Sequence, residues 1–329
     1  MKGIKNLSQS IYIKSGNFEF GSDLTNLLYS DAQIHPRKRS RILLHSNQES
    51  IPQEMLIAFT QESIVEVSTH RFAESFTLLK GAARYLFYEA NGSHCQDVIL
   101  SPLSSNDDCY CFIPPEIHHR FVPFSKNALA YEIGFSRFSP ELTTLHNEGD
   151  FGKISAIKNH KLALIPHKHI INNHGYQMHE HSSHYFAEIC PKSILSIGYN
   201  DLVSDRTMDK NFILSVKPTQ ASRISDCFLV IPPGSAYNFS NEFNTLNLFC
   251  LKGDVTINFS DSSIALDEEN CAICVDKCLN LKNIVNNLGS EEISSRISQN
   301  LPNGILGINI GPNKDTGNRI EDYLICFRK

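Results

Sequence analysis

The chain has 329 residues, 41% of them hydrophobic and 20% charged, with a formal net charge of −5. This is ordinary globular composition, sufficient for a full core without a disulfide scaffold, and the length predicts about two domains. The acidic balance argues against a general nucleic-acid binder, which needs a basic surface to neutralise phosphates. Met1 to Phe20 lacks the basic start and apolar run of a signal peptide. No stretch approaches the roughly 20 apolar residues that span a bilayer. These features predict a soluble, cytoplasmic protein with no membrane partner, in which the ten cysteines are free thiols.

Along the chain, Ser22 to Ala32 places Leu24, Leu27 and Leu28 at helical spacing, with Ser22 and Asp23 as caps and His35-Pro36 just beyond, which predicts a short helix. The compact basic run Arg37-Lys38-Arg39 with Arg41 reads as a solvated face or a local anion contact. From Arg41 the pattern shifts to short apolar runs of period two: Arg41 to Leu44, Met55 to Phe59, Ile64 to Val67, Phe76 to Leu79 and Tyr85 to Tyr88. Gly81, Asn91-Gly92, Pro102 and Pro114-Pro115 punctuate them, and Asn91-Gly92 is a strong hairpin signal. Many short strands at this spacing predict a sandwich, jelly roll or small barrel. Polar residues with Pro140 and Gly149 mark a domain boundary between 145 and 150. A second β-rich half follows through Ile194 to Ile197, Phe212 to Val216 and Thr245 to Phe249. Leu281 to Ile297 reads as a helix interrupted at Gly289, and Tyr323 to Phe327 as a last strand. An echo links the halves: Cys111-Phe112-Ile113-Pro114-Pro115 resembles Phe228-Leu229-Val230-Ile231-Pro232-Pro233, which favours a duplicated architecture.

The chemistry concentrates in the first half. In an unbroken strand, Ser68, His70, Phe72 and Glu74 share one face. His118-His119, after Pro114-Pro115, brings a second imidazole if its strand lies alongside; adjacent strand residues face opposite ways, so the two histidines divide the roles. Two imidazoles and a carboxylate suit a divalent transition metal (Fe, Mn, Ni, Zn or Cu) and leave positions open. The alternative is a hydrogen-bonded His70–Glu74 pair in a barrel that binds ligand without metal.

Glu74 and Gly81 keep the E-x6-G spacing of cupins, His70 sits at the second histidine of their H-x-H, and His119 follows Pro114 at the spacing of their distant histidine. Residues 24 to about 135 resemble the WbuC-family cupin-fold metalloproteins more closely. The resemblance rests on His35 to Arg41, Leu44-His45-Ser46, Pro52 to Ala58, Leu86 to Gly92, Ile113-Pro114-Pro115 and Tyr131 to Gly134. The chain departs from that family at Ser68, where the first metal histidine is expected, and at His118, where an aromatic is usual. The resemblance implies an all-β dominated fold of two cupin (double-stranded β-helix, jelly-roll) modules with a few short helices. The first spans 1–145; the second, 150–329, is degenerate. It further implies metal at His70, Glu74 and His119, with Arg71, His118 and Glu132 orienting substrate or moving protons. The implied activity is isomerisation or epimerisation of a sugar or sugar nucleotide in bacterial surface-polysaccharide synthesis, by a homodimer. A non-catalytic sugar-binding or assembly protein and a cupin dioxygenase are the alternatives.

Other constellations are weaker. Seven of the fourteen histidines fall between His160 and His184, read as a His-rich surface loop or as a second metal site. Cys271, Cys274 and Cys278 lack the second knuckle of a zinc ribbon and, like Cys109 and Cys111, read as structural. In the second half, Asn238, Ser240, Asn241 and Leu246 occupy the positions where cupin ligands would stand.

Overall fold

A computed structural model describes residues 4–146, except 9, 17, 46, 48, 104–106 and 138, and the later segments 178–180, 184–202, 210–220, 222, 226–231, 235–238, 245–253, 255–259, 262–267, 272–276, 281–286 and 304–310. The N-terminal elements are β1 (Ile4–Ser8), β2 (Ile11–Lys14), β3 (Phe18–Phe20), α1 (Ser22–Ile34), β4 (Arg39–Leu43), β5 (Gln53–Thr60), β6 (Val67–His70), β7 (Glu74–Lys80) and β8 (Ala83–Tyr88). Then follow β9 (His94–Leu100), β10 (Asp108–Ile113), β11 (His118–Pro123), β12 (Asn127–Gly134), a 3-10 turn (Pro140–Leu142) and β13 (Thr143–His146).

These strands wrap into a jelly roll. One wall runs β1-β2-β4-β5-β12-β7-β10 and the other β9-β8-β11-β6-β13, joined where β9 meets β10. Alternation fills the space between the walls, with Ile57, Phe59, Phe76, Leu78, Tyr85, Phe87, Phe121 and Ala130 in one apolar cluster. The outer side of the first wall carries Leu56, Leu129, Tyr131 and Ile133 in a second cluster, covered by Leu24 and Leu28 of α1. The helix ends as expected, with His35 extended at ψ 139 before Pro36.

Two chain crossings between the walls matter for the site. Gly81 carries the chain from β7 to β8 at φ +88, and a Cβ there would lie 2.3 Å from the Asn127 carbonyl oxygen, so only glycine fits. The other crossing lies at Arg71–Ala73, between β6 and β7. The strand expected to run unbroken from Ser68 to Glu74 therefore breaks, and His70 and Glu74 approach each other from opposite walls. The run Ile64 to Val67 likewise enters its strand only at Val67.

The C-terminal elements are β14 (Met178–Glu180), β15 (His184–Ile189), β16 (Leu195–Gly198), α2 (Tyr199–Leu202), β17 (Asn211–Val216), β18 (Asp226–Ile231) and β19 (Ala236–Asn238). After them come β20 (Thr245–Lys252), β21 (Val255–Phe259), β22 (Ser263–Leu266), β23 (Ala272–Asp276), β24 (Leu281–Asn286) and β25 (Gly304–Ile310). They form an eight-stranded sheet, β14-β15-β17-β18-β25-β20-β23-β3, and a four-stranded sheet, β19-β24-β21-β22. The halves exchange strands: β3 joins the later sheet on β23, and β16 joins the first barrel on β10. Phe228 packs edge-on against Tyr110 with ring centroids 5.1 Å apart. Tyr110 donates a 2.6 Å hydrogen bond to Asp226 Oδ2.

The helix expected over Leu281 to Ile297 is overturned where the chain is described, because Leu281–Asn286 is a strand paired with β19 and β21. Ile284 and Val285 fit either period, and their β-branched side chains favour the pleat once partner strands are present. Residues 287–297, Tyr323 to Phe327 and most of the His160–His184 cluster lie outside the described residues. Six cysteines among the described residues are free, and Cys109 and Cys111 are buried, as the sequence predicts. No helix among the described residues is long and apolar enough to cross a membrane.

Candidate metal centre

His70 ends β6, Glu74 opens β7 and His119 lies in β11, whose Cα registers opposite Ser68. The break after His70 and the antiparallel β6–β11 pairing thus aim three side chains at one point between the walls. Glu74 Oε1 is 2.9 Å from His119 Nε2, and Glu74 Oε2 is 3.3 Å from His70 Nε2. All three donor atoms lie within 4.8 Å of one another. Two neighbouring ligands held about 2.1 Å from one ion are themselves about 3 Å apart, so the spacing fits. His119 and Glu74 are 4% and 5% exposed, which keeps bulk water from competing for the donors.

The outward nitrogens are tied down. His119 Nδ1 donates to the Ile117 carbonyl at 2.8 Å, and His70 Nδ1 is hydrogen-bonded to Thr143 Oγ1 at 2.9 Å. Fixing Nδ1 leaves Nε2 turned toward the centre, as metal-ligating histidines require. Ser68 Oγ sits 3.4 Å from the Nε2 atoms of both His70 and His119, where a fourth ligand would stand. His70, Glu74 and His119 form a buried cluster with the donor set and spacing of a divalent-metal site typical of cupin metalloproteins.

The electrostatics agree. Burial pushes the Glu74 carboxyl up, but the adjacent His119 and His70 imidazoles outweigh it and hold it below the usual carboxylate range. Burial depresses His119 while the Glu74 carboxylate raises it, and the carboxylate wins. In His70 burial wins and the pKa falls. The Glu74 carboxylate thus favours a proton on His119, and a metal ligand must give that proton up. Ligation replaces that proton, so loading releases protons.

Glu132, half-buried on β12, is pushed up to about 7 by burial and by the Glu74 charge, against the opposing pull of Arg41 and Arg39. The other two residues singled out with it lie elsewhere. His118 alternates away from His119, and its ring packs on His146 with centroids 4.6 Å apart. Arg71 is exposed at the crossing, where its backbone N–H bonds the Leu142 carbonyl. Sequence reasoning missed Thr143, which is 73 positions from His70 and carries no motif. It also missed Tyr85, whose ring meets His119 with centroids 5.8 Å apart. Period-two alternation in β8 places Tyr85 inward with Phe87, a signal that could have found it.

A family profile described as Domain of unknown function (DUF6016) matches residues 20–100. A 46-residue stretch is 52% identical to the dihydroorotate dehydrogenase (quinone) of Nitrosomonas europaea, covering 13% of this chain and 14% of that protein. The chain thus spans only a small part of the curated relatives it matches. In three dimensions it resembles the salicylate 1,2-dioxygenase of Pseudoaminobacter salicylatoxidans. A glycine-to-alanine mutant of that enzyme superposes with TM-score 0.54 at 10% identity, covering 90% of this chain and 83% of the other. A tryptophan-to-tyrosine mutant gives TM-score 0.50 at 9% identity, over 90% and 84%. At such identity the likeness speaks to fold alone. The chain is a mostly-β protein with a cupin-like jelly-roll fold.

Proposed function

We propose that this chain is a metal-dependent cupin enzyme that works on dioxygen and a small organic substrate in its first barrel. One observation carries the reading: two imidazoles and one carboxylate converge, and both imidazoles are pinned through Nδ1. The two-histidine, one-carboxylate set with open positions is the ligand type of non-haem ferrous oxygenases. When bound, a ferrous ion would supply the coordination sites and one-electron chemistry that dioxygen activation needs. The protein's part is to hold Glu74 ionised, aim the two rings, and keep water out with Tyr85, Phe72 and the apolar lining. The name of the salicylate dioxygenase, whose fold this chain shares, supports oxygen chemistry.

The WbuC-family resemblance and the proposed division into modules 1–145 and 150–329 belong to the same proposal, the second module serving packing and homodimer formation. A second reading has one observation in its favour. Glu132 lies on the interior face opposite Phe76 and is pushed up to about 7 by burial and the Glu74 charge, the range that suits an acid–base group in isomerisation or epimerisation of a sugar nucleotide.

Iron-loaded protein offered hydroxybenzoates and, separately, sugar nucleotides separates the two. The first reading expects oxygen uptake that needs both iron and His119. No uptake, together with solvent deuterium entering a sugar nucleotide, would replace it with the second.

A further inference from the structure

The basic run read from the sequence as a solvated face or a local anion contact is divided by the fold, and Arg39 and Arg41 leave the solvated side. In β4, Arg41 registers opposite Ile57 and Arg39 opposite Phe59, and both partners belong to the cluster between the walls. Directly opposed residues in an antiparallel pair share a face, so both guanidiniums project toward the barrel interior. Ser40 and Ile42, on the other face, are 2% and 0% exposed beneath α1. Glu132 lies on the interior face too, opposite Phe76 and Met55. In the strand order β4-β5-β12-β7 it stands between the arginines of β4 and Glu74 of β7, and it interacts with the charges of both.

This wall is short of negative charge. Glu132 acts on both guanidiniums and Glu66, already engaged by Arg37, acts on Arg39, but among the described residues no ion pair joins either arginine to Glu132. Arg39 Nε is buried with no hydrogen-bond partner among the described residues. Burial, then repulsion from Arg37 and Arg41, pulls Arg39 down to about 10. Arg37 itself is engaged by Glu66. Burying like charges with donors unmet is costly, and a planar oxyanion accepting two parallel N–H bonds from a guanidinium removes that cost.

We propose that Arg39 and Arg41 form the substrate's carboxylate-binding wall, so that the enzyme acts on a small carboxylic acid held with its reacting end toward His70, Glu74 and His119. The inference rests on the triad being the metal centre. A carboxylate suits the wall better than a phosphate. It is a flat, single charge that a guanidinium meets bidentately, and Glu132 nearby would repel a doubly charged group.

The test is calorimetric titration of the cobalt-loaded full chain with acetate, benzoate and salicylate, their neutral amides, and inorganic phosphate. At least one acid should bind tenfold or more tighter than its amide and tighter than phosphate. Arg41→Gln and Arg39→Gln should each weaken that acid about tenfold while cobalt content stays at one per chain. The acid-to-amide comparison needs no variant, so it survives misfolding of either one. Equal binding of acids and amides, binding of phosphate in preference to every acid, or acid affinity untouched by folded variants would overturn the proposal. Cobalt content, read on the same sample, separates a lost anion wall from a lost metal centre.

Discussion

The two halves carry nearly the same strand and do different things with it. Asp108-Cys109-Tyr110-Cys111-Phe112-Ile113-Pro114-Pro115 and Asp226-Cys227-Phe228-Leu229-Val230-Ile231-Pro232-Pro233 both give six-residue strands buried along their whole length, β10 and β18. After the first, Glu116 and Ile117 lead into His118-His119 and a metal-type cluster. After the second, the short strand β19 ends on Asn238, and the sequence positions expected to carry ligands hold Asn238, Ser240, Asn241 and Leu246. A buried strand ending in Pro-Pro therefore builds a wall, and the residues just past the turn decide whether the wall holds chemistry.

The sharpest way to break this contrast is to exchange ligands for non-ligands. His70→Ala and His119→Ala are each expected to weaken ferrous binding by at least roughly 100-fold, beyond the usual loss for a supporting residue. Asn238→Ala in the second half should leave it unchanged; equilibrium dialysis reads both. Next comes the seam. Phe228→Ala removes the ring packed on Tyr110, from a side chain 2% exposed. It should cost about 3–5 kcal/mol in chemical denaturation. A cost below about 1 kcal/mol would mean that the halves do not depend on each other's packing.

A pH-dependent difference follows from the same seam. Burial pushes the Asp226 carboxyl, where Tyr110 donates its hydrogen bond, from 3.8 up to about 6. Between those values the folded chain holds a proton that the unfolded chain gives up. The contribution of this group to stability is therefore full below about pH 4 and declines as pH rises through 6. The decline is about 3 kcal/mol. Asp226→Asn keeps an acceptor for Tyr110 and should flatten that slope; denaturation midpoints at pH 4 and 7 measure it. The smallest effect lies at Glu116, which takes φ +65, the left-handed region that favours glycine. Glu116→Gly should relieve about 1 kcal/mol of left-handed strain, seen as a rise of a few degrees in Tm.

Much of the first barrel was legible in the sequence because its signals are local. Period-two runs, Asn91-Gly92, the His35-Pro36 stop and the E-x6-G spacing each act within a few residues. The ligand set was legible for the same reason, although the argument behind it was not sound. An unbroken strand would have put His70 and Glu74 on one face, whereas the chain crosses between walls at Arg71–Ala73 and brings them together from opposite sides. What stayed hidden depends on distant pairing. Thr143 reaches His70 only because β13 pairs with β6. Arg39 and Arg41 turn inward only because β4 pairs with β5 in one register, and a one-residue slip would have sent them to the other face. The strand at Leu281–Asn286 shows the same limit, since Ile284 and Val285 suit either period until β19 and β21 flank them.

Metal stoichiometry tests the central claim most directly. Purified protein reconstituted anaerobically with ferrous ion and desalted should carry about one ion per chain, and the His119→Ala variant almost none. Wild-type occupancy below about 0.2 per chain after reconstitution, or an ion that His119→Ala retains in full, would contradict the assignment of His70, Glu74 and His119 as the metal centre.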